Sequence, residues 1–238
     1  MNSLPLKALL DLIFPRACAG CGENAGGEFQ YLCWNCLTTI KLVTPPYCLL
    51  CGDPVYGELS NSYVCSKCVR RKPHFDCARS AALYNGLTKE MMLDFKYRGA
   101  VWLGPDLGQL MEACLRANFH PEHIDRLAYV PLHRAKEKQR TYNQAFLLAS
   151  EIAARTGIKT ADCLARVEAT GSQTHLTSAA RADNVRNKFA IKGSCRVEGQ
   201  RILLVDDVMT TGATVNECAR VLKEAGAREV LVLTAARG

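Results

Sequence analysis

The stretch Ile202 to Thr214, ILLVDDVMTTGAT, restricts the fold of this chain more than any other. Four consecutive apolar residues, Ile202 to Val205, leave neither face of a strand polar, as a parallel sheet covered by helices on both sides demands. Two carboxylates, Asp206 and Asp207, follow at the end of that strand. Thr210, Thr211, Gly212, Ala213 and Thr214 make a short hydroxyl-rich turn, and Val215, Ala219 and Leu222 mark a helix from Val215 to Ala225. In open α/β sheets ligands collect beyond the carboxyl ends of the strands, where a helix N-terminus turns unpaired N–H groups and a positive dipole end outward. The order predicts a loop sized for one phosphate, next to two acids able to hold a diol or a metal ion.

Each piece alone has a plainer explanation, since threonines cap helices and acids at strand ends are commonly solvated. The fixed order of all of them is what points to a ligand. No Gly-Lys-Ser/Thr follows, so the loop is not of the Walker kind. It resembles the ribose-phosphate signature of type I phosphoribosyltransferases. That resemblance implies that Asp206 and Asp207 address the ribose hydroxyls of phosphoribosyl pyrophosphate, that Thr210 to Thr214 wrap its 5-phosphate, and that magnesium accompanies it.

Thirteen cysteines are an odd number, and eight of them form four C-x2-C pairs before Val69. This pattern suits metal binding better than a disulfide framework and implies a reducing compartment. Cys18, Cys21, Cys33 and Cys36 can place four thiolates around one zinc ion, and Cys48, Cys51, Cys65 and Cys68 around a second. Sequential sites keep the loops short; a crossed pairing, disulfides or an iron cluster are the alternatives. Gly22 and Gly52 follow the second cysteine of each leading pair, where a tight knuckle brings backbone N–H groups to sulfur. Four thiolates leave no coordination position open, so both ions are expected to be structural, supporting a module too small for a core of its own. Tyr31, Trp34, Tyr47, Tyr56 and Tyr63 lie between the pairs and either cover the knuckles or stack on nucleic-acid bases. Cys77, Cys114, Cys163, Cys195 and Cys218 lack metal spacing and read as small core residues, none a nucleophile.

The expected division is a double zinc ribbon with a short N-terminal helix over residues 1–76 and a larger α/β domain over 77–238, joined by the basic, Pro73-containing segment Val69 to Asp76. Leu6, Leu9, Leu10 and Ile13 give the N-terminal helix its apolar face. Lys7 and Asp11 interrupt it too soon for a signal peptide or membrane span, so a cytoplasmic protein is expected. Of the net charge of +7, most lies after residue 76, where 23 basic residues face 17 acidic ones. Such a balance suits a pyrophosphate or a nucleic acid and selects neither.

In the larger part, Ser80 to Tyr84 and Leu127 to Leu132 read as strands, and Leu87 to Tyr97, Leu107 to Ala117 and Tyr142 to Arg155 as helices. Phe189 to Ile191 and the late strand Glu229 to Thr234 are expected to continue the sheet. His133 to Arg140 is a loop with four basic residues and one acid at the end of a buried strand. It is either a solvated turn or a phosphate contact. Glu168 to Asp183 is polar and poor in large apolar residues, suiting a lid or a segment without function.

The run VPLHRAKEKQRTYNQA, the segment Phe95 to Gly99 (FKYRG), the stretch Gln173 to Ile191 and the eight-cysteine module together resemble the ComF family across essentially the whole chain. The resemblance implies a ribbon followed by a type I phosphoribosyltransferase-like domain: a parallel sheet with helices on both faces. It places Leu132, His133, Arg134 and Arg140 in the pyrophosphate loop and Gln173, Arg181 and Asn184 in the flexible loop. It also implies a role in natural competence, with single-stranded DNA and transformation proteins as partners. Thr141 departs from the family pattern, which has glycine there. Whether the site transfers a phosphoribosyl group or only binds its ligand, as a sensing adaptor, is open at this stage.

Overall fold

The computed structural model describes residues 16–25, 27–55, 57, 63–132, 141–167 and 187–238. The expected N-terminal helix, Tyr56, the basic residues His133, Arg134 and Arg140, and the flexible-loop residues Gln173, Arg181 and Asn184 lie outside them.

Four parallel strands form the central sheet in the order β1–β6–β5–β2, where β1 is Cys77–Leu83, β2 is Arg126–Tyr129, β5 is Arg201–Met209 and β6 is Glu229–Arg237. Its central strands are apolar on both faces for the reason read from the sequence. Leu203, Val205, Leu231 and Leu233 join one buried cluster, while their neighbours Ile202, Leu204, Val230 and Val232 join another across the sheet. Helices α3 (Gly86–Tyr97), α4 (Gly104–Asn118) and α5 (Gln144–Thr156) contribute Met91, Phe95, Leu107, Met111, Leu148 and Ile152 to the first cluster. Helix α6 (Ala213–Glu224) covers the opposite face with Val215, Cys218 and Leu222.

Three expectations are corrected. Strand β5 does not stop at Val205 but runs through both acids to Met209, because β6 is long enough to keep pairing, Asp206 with Thr234 and Met209 with Arg237. Phe189–Ile191 (β4) does not extend the main sheet. It pairs antiparallel with Leu164–Arg166 (β3), a strand the sequence did not reveal. Cys163 and Cys195 are not isolated core residues: they form a disulfide with Cα atoms 5.0 Å apart, tying the start of β3 to the segment after β4. Cys218 is fully buried as expected, and Cys77 and Cys114 are half-buried.

Both edges of the sheet are covered. On β2, the amide of Leu127 donates to the Lys159 carbonyl and the amide of Ala161 to the Leu127 carbonyl. On β1, residues from between and within the ribbons take that role: the Val43 amide donates to Ala81, the Leu83 amide to Lys41 and the Ala78 amide to Leu50. The ribbons carry only two short helices among the described residues, α1 (Trp34–Leu37) and α2 (Ser66–Arg70). They are also clamped to α4, where the buried Asp106 carboxylate accepts from the amides of Gln30 and Tyr31, both at 2.7 Å. Among the described residues no helix is long and apolar enough to cross a membrane.

Candidate functional site

The acid pair sits at the carboxyl end of the central strand β5. Successive side chains of a strand point to opposite faces, so adjacent acids meet different surroundings. Asp207 points toward α3, where Lys96 Nζ lies 3.0 Å from its Oδ1. Asp206 feels Arg166 of β3, whose guanidinium also stacks over the Phe189 ring at 5.3 Å. Burial and the neighbouring Asp207 charge push the Asp206 carboxyl up to about 7, against the pull of Lys96 and Arg166. For Lys96, burial alone would lower the pKa, but the two carboxylates outweigh it and hold the ammonium above its usual range. The backbone turns toward the pair as well, with the Asp207 amide donating to Asp206 Oδ1 and the Val208 amide to Asp207 Oδ1.

The hydroxyl loop comes next, shorter than the sequence suggests. Thr210 and Thr211 are exposed, Gly212 makes the turn, and Ala213 and Thr214 already form the first turn of α6. Gly212 has φ +76°, a backbone that side-chain-bearing residues rarely adopt, so glycine suits this turn best. Thr211 Oγ1 accepts from the Ala213 amide at 3.4 Å, and the N-terminus of a three-turn helix faces the loop. Acids, hydroxyls and helix N-terminus are therefore contiguous, as the motif requires. Arg237, at the end of β6 and buried, donates to the carbonyls of Met209 (3.3 Å) and Thr210 (2.8 Å) and to Asp53 Oδ1 in the second ribbon (2.8 Å). One guanidinium thus joins the second ribbon to the loop.

The eight paired cysteines fall into two groups, Cys18, Cys21, Cys33 and Cys36 and then Cys48, Cys51, Cys65 and Cys68, with the sulfurs of each group within 4.8 Å of one another. This is the sequential pairing. Cys21 and Cys33 sulfurs are 3.6 Å apart and those of Cys51 and Cys65 3.7 Å, close to the edge of roughly 3.8 Å in a tetrahedron with Zn–S of about 2.3 Å. Amides of Gly20 and Cys33 point at Cys18 Sγ, and that of Cys65 at Cys48 Sγ. Against the effect of burial, such donors bring Cys18 down to about 6 and Cys48 to about 7. Burial and the neighbouring sulfurs push Cys36 and Cys51 up to about 12. Four adjacent thiols cannot all ionise without a cation among them, and the two tetrads fit zinc. Of the ribbon aromatics, Tyr31 packs on Trp102 with ring centres 4.6 Å apart, Tyr47 lies under Arg79 and Tyr63 is half-buried. Trp34 alone among those described is largely exposed.

Comparison with known proteins agrees with both halves. Residues 9–69 match the double zinc ribbon domain model and residues 143–238 the phosphoribosyl transferase domain model. The chain is 28% identical over 225 residues to competence protein F of Haemophilus influenzae, covering 92% of this chain and 96% of that protein. It is likewise 28% identical over 202 residues to competence protein ComFC of Bacillus subtilis, covering 83% and 80%. DNA utilization protein YhgH of Salmonella typhimurium is 28% identical over 216 residues, covering 84% and 94%. Both domain models and these relatives together support placing the chain in the ComF family.

In this ComF-like chain, Leu132 is half-buried and directly precedes the residues of the expected pyrophosphate loop. Thr141 stands at φ +66°, in the left-handed region that a glycine would adopt freely. Asn143 and Gln144 are inward-facing. Asn143 caps α5 by accepting from the Phe146 amide and donates to the Val130 carbonyl, while Gln144 reaches the Lys96 carbonyl. Lys96, Arg166 and Arg237 escaped the sequence reading. Of the three only Lys96 lies in a recognisable motif, the FKYRG segment, and nothing in that segment signals that it turns inward.

Proposed function

We propose that this ComF-family protein binds phosphoribosyl pyrophosphate with magnesium at Asp206 to Thr214 and that binding serves the uptake or handling of single-stranded DNA. The observation that carries the reading is the contiguity of a paired-acid strand end, two exposed threonine hydroxyls and a helix N-terminus. The acids suit the two ribose hydroxyls, and Thr210, Thr211 and the amides opening α6 suit a 5-phosphate. Carboxylate oxygens are also the donors that magnesium prefers. The ion would supply charge neutralisation for a pyrophosphate, with Asp206 and Asp207 orienting it and the ribose. Around the pair the described cations are Lys96 and Arg166, which suit an anionic ligand better than proton abstraction from an acceptor. The reading is therefore one of ligand binding, with transfer as a separate question.

The DNA role is supported by the names of the relatives, the cationic excess and the exposed Trp34, with Arg70, Arg71 and Lys72 also exposed near the second tetrad. Isothermal titration with phosphoribosyl pyrophosphate and magnesium is expected to show saturable binding, lost in Asp206→Asn with Asp207→Asn although the fold persists. Absence of binding to the unaltered protein overturns the reading. Pyrophosphate release with a panel of bases then separates a transferase, which turns over, from an adaptor. Single-stranded DNA affinity is expected to fall steeply with added salt.

A further inference from the structure

Lys96 is the part of the FKYRG segment that reaches the acid pair. It lies in the last turn of α3, and two side chains, one just before α5 and one at its first residue, pin that turn: Tyr142 donates to the Phe95 carbonyl at 2.5 Å and Gln144 to the Lys96 carbonyl at 3.5 Å. A lysine ending a helix ordinarily extends its ammonium into water. Two residues on, the Arg98 guanidinium stays at the surface, its side chain 76% exposed and paired with Asp94, whereas the Lys96 side chain is 16% exposed and ends 3.0 Å from an Asp207 oxygen that is itself enclosed. Desolvating that ammonium is unfavourable, and the acid pair is what offsets it. The carboxylate proposed to orient a magnesium-bound sugar is thus already engaged by a cation belonging to the protein.

We propose that Lys96 is the resident counter-cation of the acid pair, that it competes with a divalent metal for Asp207, and that it thereby lets the site accept the metal only together with an anionic ligand. The idea deepens the binding site proposed above and rests on it. A bare divalent ion arriving at Asp207 would leave a half-buried ammonium facing a metal with nothing to receive it. An ion arriving with a pyrophosphate brings phosphate oxygens that can take over the ammonium. Lys96 acts here as a positioning residue, coupling metal and ligand by charge rather than touching reacting atoms.

Manganese serves as the probe, because it occupies magnesium sites and its paramagnetic resonance signal reports free and bound ion directly. The full-length, zinc-loaded protein is titrated with manganese alone. Lys96→Met is expected to bind it on the order of tenfold or more tighter than the unaltered protein, because a unit positive charge a few ångströms from the site has gone. Lys96→Arg keeps the charge and is expected to bind weakly, like the unaltered protein. Adding Asp207→Asn to Lys96→Met abolishes the gain. Should Lys96→Met melt early, Lys96→Gln repeats the measurement with a polar head in place. Equal manganese affinity in the neutral variants and the unaltered protein overturns the proposal. Titration with phosphoribosyl pyrophosphate and magnesium is run alongside: its failure in the unaltered protein, with the manganese gain intact, overturns the sugar-phosphate reading while leaving Lys96 as the counter-cation.

Discussion

Asp206 holds its proton more tightly in the folded chain than an unfolded aspartate does, because burial first and the charge of Asp207 second raise it from 3.8 to about 7. A carboxyl raised in this way favours folding fully below its unfolded pKa. That contribution is lost as pH rises through the folded value, so stability falls between about pH 4 and about pH 7. Asp206→Asn keeps the shape and removes the titration. It is expected to match the unaltered protein below about pH 4 and to exceed it above pH 7 by on the order of 4 kcal/mol. Urea unfolding at several pH values checks this, and a difference independent of pH would contradict it. Thr141 is the other residue under tension, a β-branched side chain at φ +66°. Relief of about 1–3 kcal/mol of backbone strain outweighs the roughly 0.4–1 kcal/mol that glycine adds to unfolded-chain entropy. Thr141→Gly should therefore melt a few degrees higher; an unchanged or lower melting point would mean that the surrounding loop relaxes around threonine.

At the scale of elements, the loop between β5 and α6 is held from behind by Arg237, through the carbonyls of Met209 and Thr210. Arg237→Met removes those bonds without touching a zinc ligand. Affinity for phosphoribosyl pyrophosphate is expected to drop about tenfold, the effect of losing one or two net hydrogen bonds, with zinc content unchanged. Titration calorimetry and metal analysis together check it; unaltered affinity would show that the loop holds its shape alone. None of this was legible in the sequence, because the partners of Arg237 are main-chain carbonyls and Asp53, which lies 184 positions away. What could be read was whatever repeats at short range. The run Ile202 to Val205 announced a doubly covered strand, and C-x2-C pairs announced two four-thiolate sites, with sequential pairing preferred over a crossed one. Strands β3 and β4, three residues each, carry no periodicity and are defined only by each other. The extension of β5 through its acids likewise depends on the length of β6, which no local window contains.

For the whole molecule, the consequential contact is between the ribbons and the sheet edge. Strand β1 is an edge strand of the parallel sheet, and an uncovered edge invites pairing with another chain. Here Lys41, Val43 and Leu50 satisfy its outward groups, and these residues are held in place by the two cysteine tetrads and by Asp106 accepting from Gln30 and Tyr31. Structural zinc contributes roughly 10–16 kcal/mol in small finger peptides, far more than ribbons with so few helical residues gain from burial. Removing the metal should therefore release the ribbons before the sheet, whose buried clusters draw mainly on β5, β6 and the helices, with Leu32, Ile40 and ribbon cysteines joining at their margins. The expected sequence on chelation is loss of two zinc ions per chain and retention of most of the α/β far-UV signal. Larger species should then form as β1 loses its cover. Light scattering on a sizing column, before and after chelation, reads the outcome. Asp106→Ala, which leaves two amides without their acceptor while sparing every cysteine, should shift the chelator concentration needed to lower values. Should the metal-free chain elute unchanged in size, Lys41, Val43 and Leu50 hold the edge without zinc, and the ribbons are tied to the sheet more firmly than the tetrads alone can account for.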